Sequence, residues 1–274
     1  MKYTISLIVI IVLQPLLLHT QQVESGTGYW YDGIVTHKGS TAKVISNEPR
    51  PLRQAVESLS KEYGWFVDYE DPIYSDAETV DRKMDPEWVA RFPGGRQRLV
   101  AGHSFESEFQ EDTKIGSSVA EEKSVLQKVV SDYNKSGNPG QFVLIEEGAG
   151  RFSVVGQANR TAQAIFDTPI TVNIDQLNVS FALDAICQAM TSASGAKVIL
   201  LKYPLNLAVQ TIVTVRASNQ PVRQVLRTVA DAGRHKLEWM LLYDIDDQTY
   251  YLNLVLVAKA TASITGGKTL ELVH

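Results

Sequence analysis

The sequence predicts an α+β protein of two small domains, each a strand-helix-strand-strand-helix-strand-strand unit with two helices on one face of a small sheet. Three observations predict it. Hydrophobic periodicity switches along the chain between two residues and about 3.6. The same order of elements occurs in both halves, so an internal duplication is expected. The helix entries also agree: Asn47-x-x-x-Pro51-Leu52-Arg53-Gln54-Ala55-Val56 parallels Asn219-x-Pro221-Val222-Arg223-Gln224-Val225-Leu226. Two modest domains fit within 274 residues.

Residues 1–25 read as an export leader. Lys2 supplies a minimal basic start, an apolar run covers residues 5–18, and His19, Thr20, Gln21 and Gln22 follow. Gln14 and Pro15 interrupt the run, which is shorter than the roughly 20 apolar residues a membrane-crossing helix needs. Cleavage near Ser25 is expected, with an uncleaved anchor as the alternative. The expected location is therefore the periplasm or the exterior, with no integral membrane span after leader removal. The lone cysteine, Cys187, suits an oxidising compartment because it has no partner within the chain.

The first domain is expected over residues 26–157. A short strand covers 42–46, and Pro51 leads into a helix with Leu52, Ala55, Val56 and Leu59 on one face and Gly64 at its end. A strand follows over 65–69. Residues 70–97 carry Pro72, Pro86, Pro93, Gly94 and Gly95 and read as an inserted loop. Strand character resumes over 99–109, and a helix over 121–135 turns Val125, Leu126, Val129, Val130 and Tyr133 inward. Strands at 142–145 and 152–155 close a hairpin.

The second domain is expected over residues 158–258. Ile170, Val172 and Ile174 alternate with polar residues as in a half-buried strand. Val179, Ala182, Leu183, Ile186, Ala189 and Met190 then define a helix face that stops at Gly195. Strands are predicted at 197–201 and 209–216. A second helix begins at Pro221, in the first-turn position where its missing N–H has no partner, and ends before Gly233. Residues 237–243 and 250–257 form a strong hairpin around the polar turn 244–248. Residues 259–274, with Gly266-Gly267, are expected as a flexible tail.

The segments Ile170-Thr171-Val172-Asn173-Ile174, Asn178-Val179-Ser180-Phe181-Ala182-Leu183, Gly195-Ala196-Lys197-Val198-Ile199, Ile212-Val213-Thr214-Val215 and Asn219-Gln220-Pro221-Val222-Arg223-Gln224-Val225-Leu226 resemble the short N-terminal domain of secretins and TonB-dependent outer-membrane receptors. This STN-like resemblance covers about residues 168–257 and, more weakly, 43–75. Its positions belong to the core and speak of fold more than of function. It implies a protein-interaction module of the bacterial envelope.

Composition narrows the rest. Net charge is −5 and the pI about 5.6, without the cationic excess that nucleic-acid binding requires. Charge divides unevenly: residues 26–150 hold 14 Lys and Arg against 21 Asp and Glu, whereas residues 151–274 hold 11 against 9. No Gly-x-Ser-x-Gly elbow occurs. Cys187 adjoins an apolar helix face and reads as a buried thiol. His103 has the opposite strand parity from Glu106 and Glu108, which argues against a shared ion. Asp68, Glu70, Asp71, Asp76, Glu78 and Asp81 form an acidic stretch without the ligand spacing and turn glycine of an EF-hand. Trp65 and Trp239 read as core, with Tyr29, Trp30 and Tyr31 capping it; Trp88 lies in the inserted loop.

No catalytic, cofactor-binding or metal-binding residue is assigned, and no cofactor is expected. The leading expectation is a non-enzymatic adaptor that binds another envelope protein, or itself, through an exposed strand edge or helix face. A secreted hydrolase using carboxylates of the acidic first half is one alternative. A ring-forming structural component of a secretion or uptake system is the other.

Overall fold

The structure, a computed structural model, describes residues 33–47, 49–81, 90, 98–111, 118–148, 150–157, 164–232, 237–262 and 268–272. The leader, Tyr29 to Tyr31, Trp88 and Gly233 lie outside the described residues. The mixed α+β class is as predicted: the described residues form five helices and several small sheets.

In chain order the first half contains β1 (Ile34–Lys38), β2 (Thr41–Ser46), α1 (Pro51–Tyr63), β3 (Phe66–Glu70), β4 (Thr79–Asp81), β5 (Arg98–Val100), β6 (Phe105–Gln110), α2 (Val119–Lys135), β7 (Phe142–Gly148) and β8 (Arg151–Gly156). Pro51 opens α1 in its first turn. Gly64 closes it with φ 75°, its N–H reaching the Ser60 carbonyl at 2.8 Å. Ser118 caps α2 by accepting from the Glu121 N–H. β6 alternates buried and exposed residues, β2 buried and half-buried ones, and the two pair antiparallel with Val44 opposite Ser107.

The second half contains β9 (Pro169–Asn178), α3 (Val179–Ser194), β10 (Lys197–Lys202), α4 (Leu205–Gln210), β11 (Ile212–Pro221), α5 (Val222–Ala230), β12 (Leu237–Asp244) and β13 (Thr249–Leu256). Asn178 caps α3 by accepting from the Phe181 N–H at 3.1 Å, and Gly195 ends it with φ 74°. A last pair, β14 (Ala258–Ala262) and β15 (Lys268–Leu272), follows.

The pairing repeats along with the order. In the first half β2 pairs antiparallel with β6, β3 parallel with β8, and β7 antiparallel with β8. In the second half β9 pairs antiparallel with β11, β10 parallel with β13, and β12 antiparallel with β13. Each helix pair shares a core with strands of two sheets, which corrects the expectation of a single sheet per half. α1 touches β2 and β3, and α2 touches β6 and β7. In the second half Ile174 and Val215 of one sheet and Trp239 and Leu252 of the other enclose Leu183, Ile186 and Leu226 in one cluster. A helix pair has apolar residues on more than one side, so one sheet would leave part of it wet.

The halves are not separate bodies. Their three-stranded sheets join edge to edge into one six-stranded sheet of order β10-β13-β12-β3-β8-β7, and the described residues belong to one compact unit. Other departures from expectation are local. Residues 205–210 form α4, with Ala208 N–H on the Pro204 carbonyl, so the strand predicted from 209 begins at Ile212. Pro221 ends β11 with φ −54° and ψ 137° and precedes the helix instead of occupying its first turn. The expected flexible tail holds β14 and β15, with β14 lying along α1. The expected inserted loop contains β4, which pairs antiparallel with β5 just beyond the loop's end.

Candidate functional site

The seam between the halves concentrates the buried charge of the molecule. β12 runs parallel to β3 but pairs with it only at Met240–Tyr69 and Leu241–Glu70. One further backbone bond, Asp71 N–H to the Leu241 carbonyl, measures 2.8 Å. Beyond that short ladder, carboxylates stand in for carbonyls. Asp68 Oδ1 accepts from Trp239 N–H at 2.9 Å, Asp71 Oδ2 from Tyr243 N–H at 2.9 Å, and Glu238 Oε1 from Val67 N–H at 2.8 Å. Each satisfies an N–H that would otherwise be orphaned in the sheet interior.

Three arginines answer these acids. Arg50, in the left-handed region with φ 59°, places Nε 2.6 Å from Asp71 and donates through Nη2 to the Tyr243 carbonyl at 2.6 Å. From α5, Arg223 Nη1 lies 2.5 Å from Glu70 and 3.0 Å from Glu147, with Nε 3.3 Å from Asp167. One turn on, Arg227 reaches Asp68 at 3.4 Å and pairs closely with Glu147; its guanidinium sits 5.0 Å from the Trp239 ring centroid. The acidic character of the first half and the more basic second half thus meet in one place.

Burial dominates the acids' proton affinity. It pushes Asp68 well above the usual carboxylate range, and it raises Glu70 to about 7 although Arg223 opposes the shift. Glu238 rises to about 8 by burial, against the hydrogen bond from Val67. A cleft of about 440 Å³ opens beside Glu70 and Asp71, with Pro72, Leu241 and Tyr250 in its wall.

The structure brings Asp68, Glu70 and Asp71 together and sends the rest of the acidic stretch elsewhere. Asp76 is exposed and meets Arg98 at 2.9 Å. Glu78 accepts from Ser75 N–H and from Gly140 N–H. Asp81 ends β4. Glu106 pairs with Lys43 on the outer face of β6, where Glu108 is also exposed, while His103 precedes that strand. Among the described residues no group of three His, Cys, Asp or Glu is placed to hold a metal ion, and no helix is long and apolar enough to cross a membrane. Cys187 is buried, its thiol pushed up to about 12 by burial. Trp65 and Trp239 are core residues, as predicted.

Arg50, Arg223 and Arg227 escaped sequence reasoning. One signal was present: Arg223 and Arg227, four residues apart on an otherwise apolar helix, have to meet acids when that helix is buried.

The six-stranded sheet has two outer edges, β10 and β7. On β7 the Phe142 N–H and carbonyl are both held by the Asn134 side chain, at 2.9 and 2.8 Å. Among the described residues no strand lies outside β10, whose ends carry the exposed Lys197 and Lys202. Along the chain from β10 into α4, large apolar side chains are exposed: Leu201 (60%), Leu205 (58%) and Val209 (49%). Compared with known proteins, the chain matches no family model, no curated protein and no solved structure.

Proposed function

We propose that this chain is a non-enzymatic adaptor of the bacterial envelope, exported by its N-terminal leader, that docks a protein partner by strand addition at the outer edge of β10. The observation that carries the reading is a strand edge with no neighbouring strand among the described residues, open from Ile199 onward because Thr191 Oγ1 already takes the Val198 N–H at 3.0 Å, with Leu201 exposed on it and Leu205 and Val209 exposed on the helix that follows. An open edge offers a row of backbone donors and acceptors, and apolar neighbours give an added strand something to bury. Proteins normally blunt such an edge. Here Lys197 and Lys202 guard only the two ends, while exposed Leu201 on the strand and Leu205 and Val209 on the helix that follows it leave apolar surface between and beyond them. The twice-repeated strand-helix-strand-strand-helix-strand-strand order supports the STN-like resemblance on which the envelope assignment rests.

A structural use of the buried carboxylates fits their partners better than hydrolysis does. Asp68, Asp71 and Glu238 accept backbone N–H groups across the seam, and Glu70 is clamped by Arg223. A general acid or base needs a free face turned toward substrate, and although the cleft borders Glu70 and Asp71, Glu70 is held by Arg223 and Asp71 by Arg50 and the Tyr243 N–H.

The test compares baits in envelope extract. Leu200→Pro removes an N–H from the outer edge while leaving the ladder to β13, and Leu205→Glu charges the apolar flank. A partner identified by mass spectrometry should be held by the wild-type chain and lost by both variants. Equal recovery on all three baits would refute docking at this edge.

A further inference from the structure

We infer that the occupant of the β10 edge is the β7 edge of a second copy of this chain, so that copies add head to tail and extend the six-stranded sheet. This rests on β10 being a docking edge and names what docks there. The molecule already makes this junction once. β3 and β10 hold equivalent places, each pairing parallel with the last strand of its half. β7 and β12 are likewise equivalent, each the first strand of the closing hairpin. The seam joins β12 to β3. The two strands left at the ends, β7 and β10, are the same two kinds of edge, still unjoined.

The register follows from the pairings. Phe66 faces Arg151 as Lys197 faces Thr249, so Tyr69 corresponds to Leu200. Glu146 faces Phe152 as Tyr243 faces Tyr250, so Val143 corresponds to Met240 and Leu144 to Leu241. Carrying the seam's Met240–Tyr69 pair across places Val143 of one copy beside Leu200 of the next, and Leu144 beside Leu201. Backbone direction agrees. Trp239, Leu241 and Tyr243 turn their polar groups toward β3. On β7 Gln141 bonds inward to Gln157, which leaves Leu144 and Glu146 facing out.

Side chains agree as well. The partly buried Val143 and Leu144 meet the apolar run Ile199-Leu200-Leu201. Glu146, at the position of Tyr243, falls beside Lys202, which stands near the position of Asp71. Four features limit the contact. A register shift at Leu201 disturbs β10, Thr191 Oγ1 already takes the Val198 N–H at 3.0 Å, Asn134 already occupies the polar groups of Phe142, and Glu146 already pairs with Lys123 at 2.7 Å and would share itself between two lysines. Few backbone bonds remain, so the association is weak and grows with concentration. Because the interface joins two different edges it is heterologous, and it builds open chains or rings instead of a closed two-fold dimer.

Sedimentation velocity on the full chain from about 10 μM to about 1 mM covers the range in which contacts of this size populate. The weight-average coefficient should rise with concentration. Lys202→Glu alone and Glu146→Lys alone should each weaken association about tenfold, and the double exchange should restore it. Separately, mixing Val143→Cys and Leu200→Cys chains under mild oxidation should give mainly the mixed disulfide dimer, since neighbouring strands bring Cα atoms within bridging distance. A concentration-independent coefficient, association that ignores both exchanges, or a statistical mixture of dimers would overturn the inference. If a partner is still lost on Leu200→Pro while the chain stays monomeric, the self-assembly inference fails and docking at β10 stands. If Leu200→Pro changes neither capture nor self-association, docking at β10 fails too.

Discussion

Replacing Glu238 by Gln should make the protein more stable at pH 8 and leave it nearly unchanged at pH 5. Glu238 is buried and accepts the Val67 N–H at 2.8 Å. Burial raises its carboxyl from 4.5 to about 8, so the folded chain keeps it protonated through neutrality while the unfolded chain releases the proton. Between those two values the unfolded state binds fewer protons than the folded state, and stability falls as pH rises. At about 1.4 kcal/mol per unit, the loss between pH 5 and pH 8 comes to about 3 kcal/mol from this group. Gln retains an acceptor for Val67 and has no proton to release, so its own cost stays within about 1 kcal/mol at either pH. Urea unfolding of both proteins at pH 5 and pH 8 measures the gap directly. The variant should gain about 3 kcal/mol on the wild type across that interval. A gap that changes by less than about 0.5 kcal/mol would refute the view that Glu238 is held neutral.

Arg223→Met strips Glu70 and Glu147 of their shared cation and should cost about 3–5 kcal/mol at pH 8. The loss should shrink toward pH 5, because Glu70, at about 7 even beside the arginine, then becomes neutral; a pH-independent loss would show that the arginine matters only for packing. A Cβ at position 156 would sit 2.3 Å from the Pro72 backbone nitrogen, so Gly156→Ala should cost about 2 kcal/mol, visible as a lowered Tm. Truncation after Val257 removes the β14–β15 hairpin beside α1 and should destabilise by about 1–3 kcal/mol in thermal unfolding, whereas a mobile tail would be dispensable.

Elements that carry their own periodicity were legible in the sequence. The helix faces of Leu52 to Leu59, Val125 to Tyr133 and Val179 to Met190 are buried as their spacing required, because a helix stripe is a local property. The hairpins at β7–β8 and β12–β13 were legible for the same reason. β1 was missed: Ile34 is exposed and the strand has little alternation, being held by its pairing with β2. α4 was misread because Val209 and Ile212 continue an apolar run across a helix-to-strand change, and Pro204 gives the only local sign of a helix start. The seam was illegible for a stronger reason. Asp68, Glu70 and Asp71 look like a solvated run, and only the arrival of Arg223, Arg227 and the β12 backbone, about 150 to 170 residues away in sequence, turns them into interior groups.

That chemistry also explains why the sheet joins within the chain before it joins between chains. β3 carries Asp68 and Asp71, which extend a two-pair ladder by capping N–H groups of β12, and the arginines of α5 and Arg50 neutralise them. β10 has Ile199 and Lys202 at the corresponding places and offers no carboxylate to a facing N–H. On β7, Asn134 meets by itself the need at Phe142 that Asp68 meets at Trp239. The intramolecular junction therefore has an ionic lock that the outer edges lack, and tethering within one chain raises its effective concentration further. One repeated topology thus gives the junction inside the protein and, on the inference that the end strands meet between copies, a second of the same kind that is weaker and reversible.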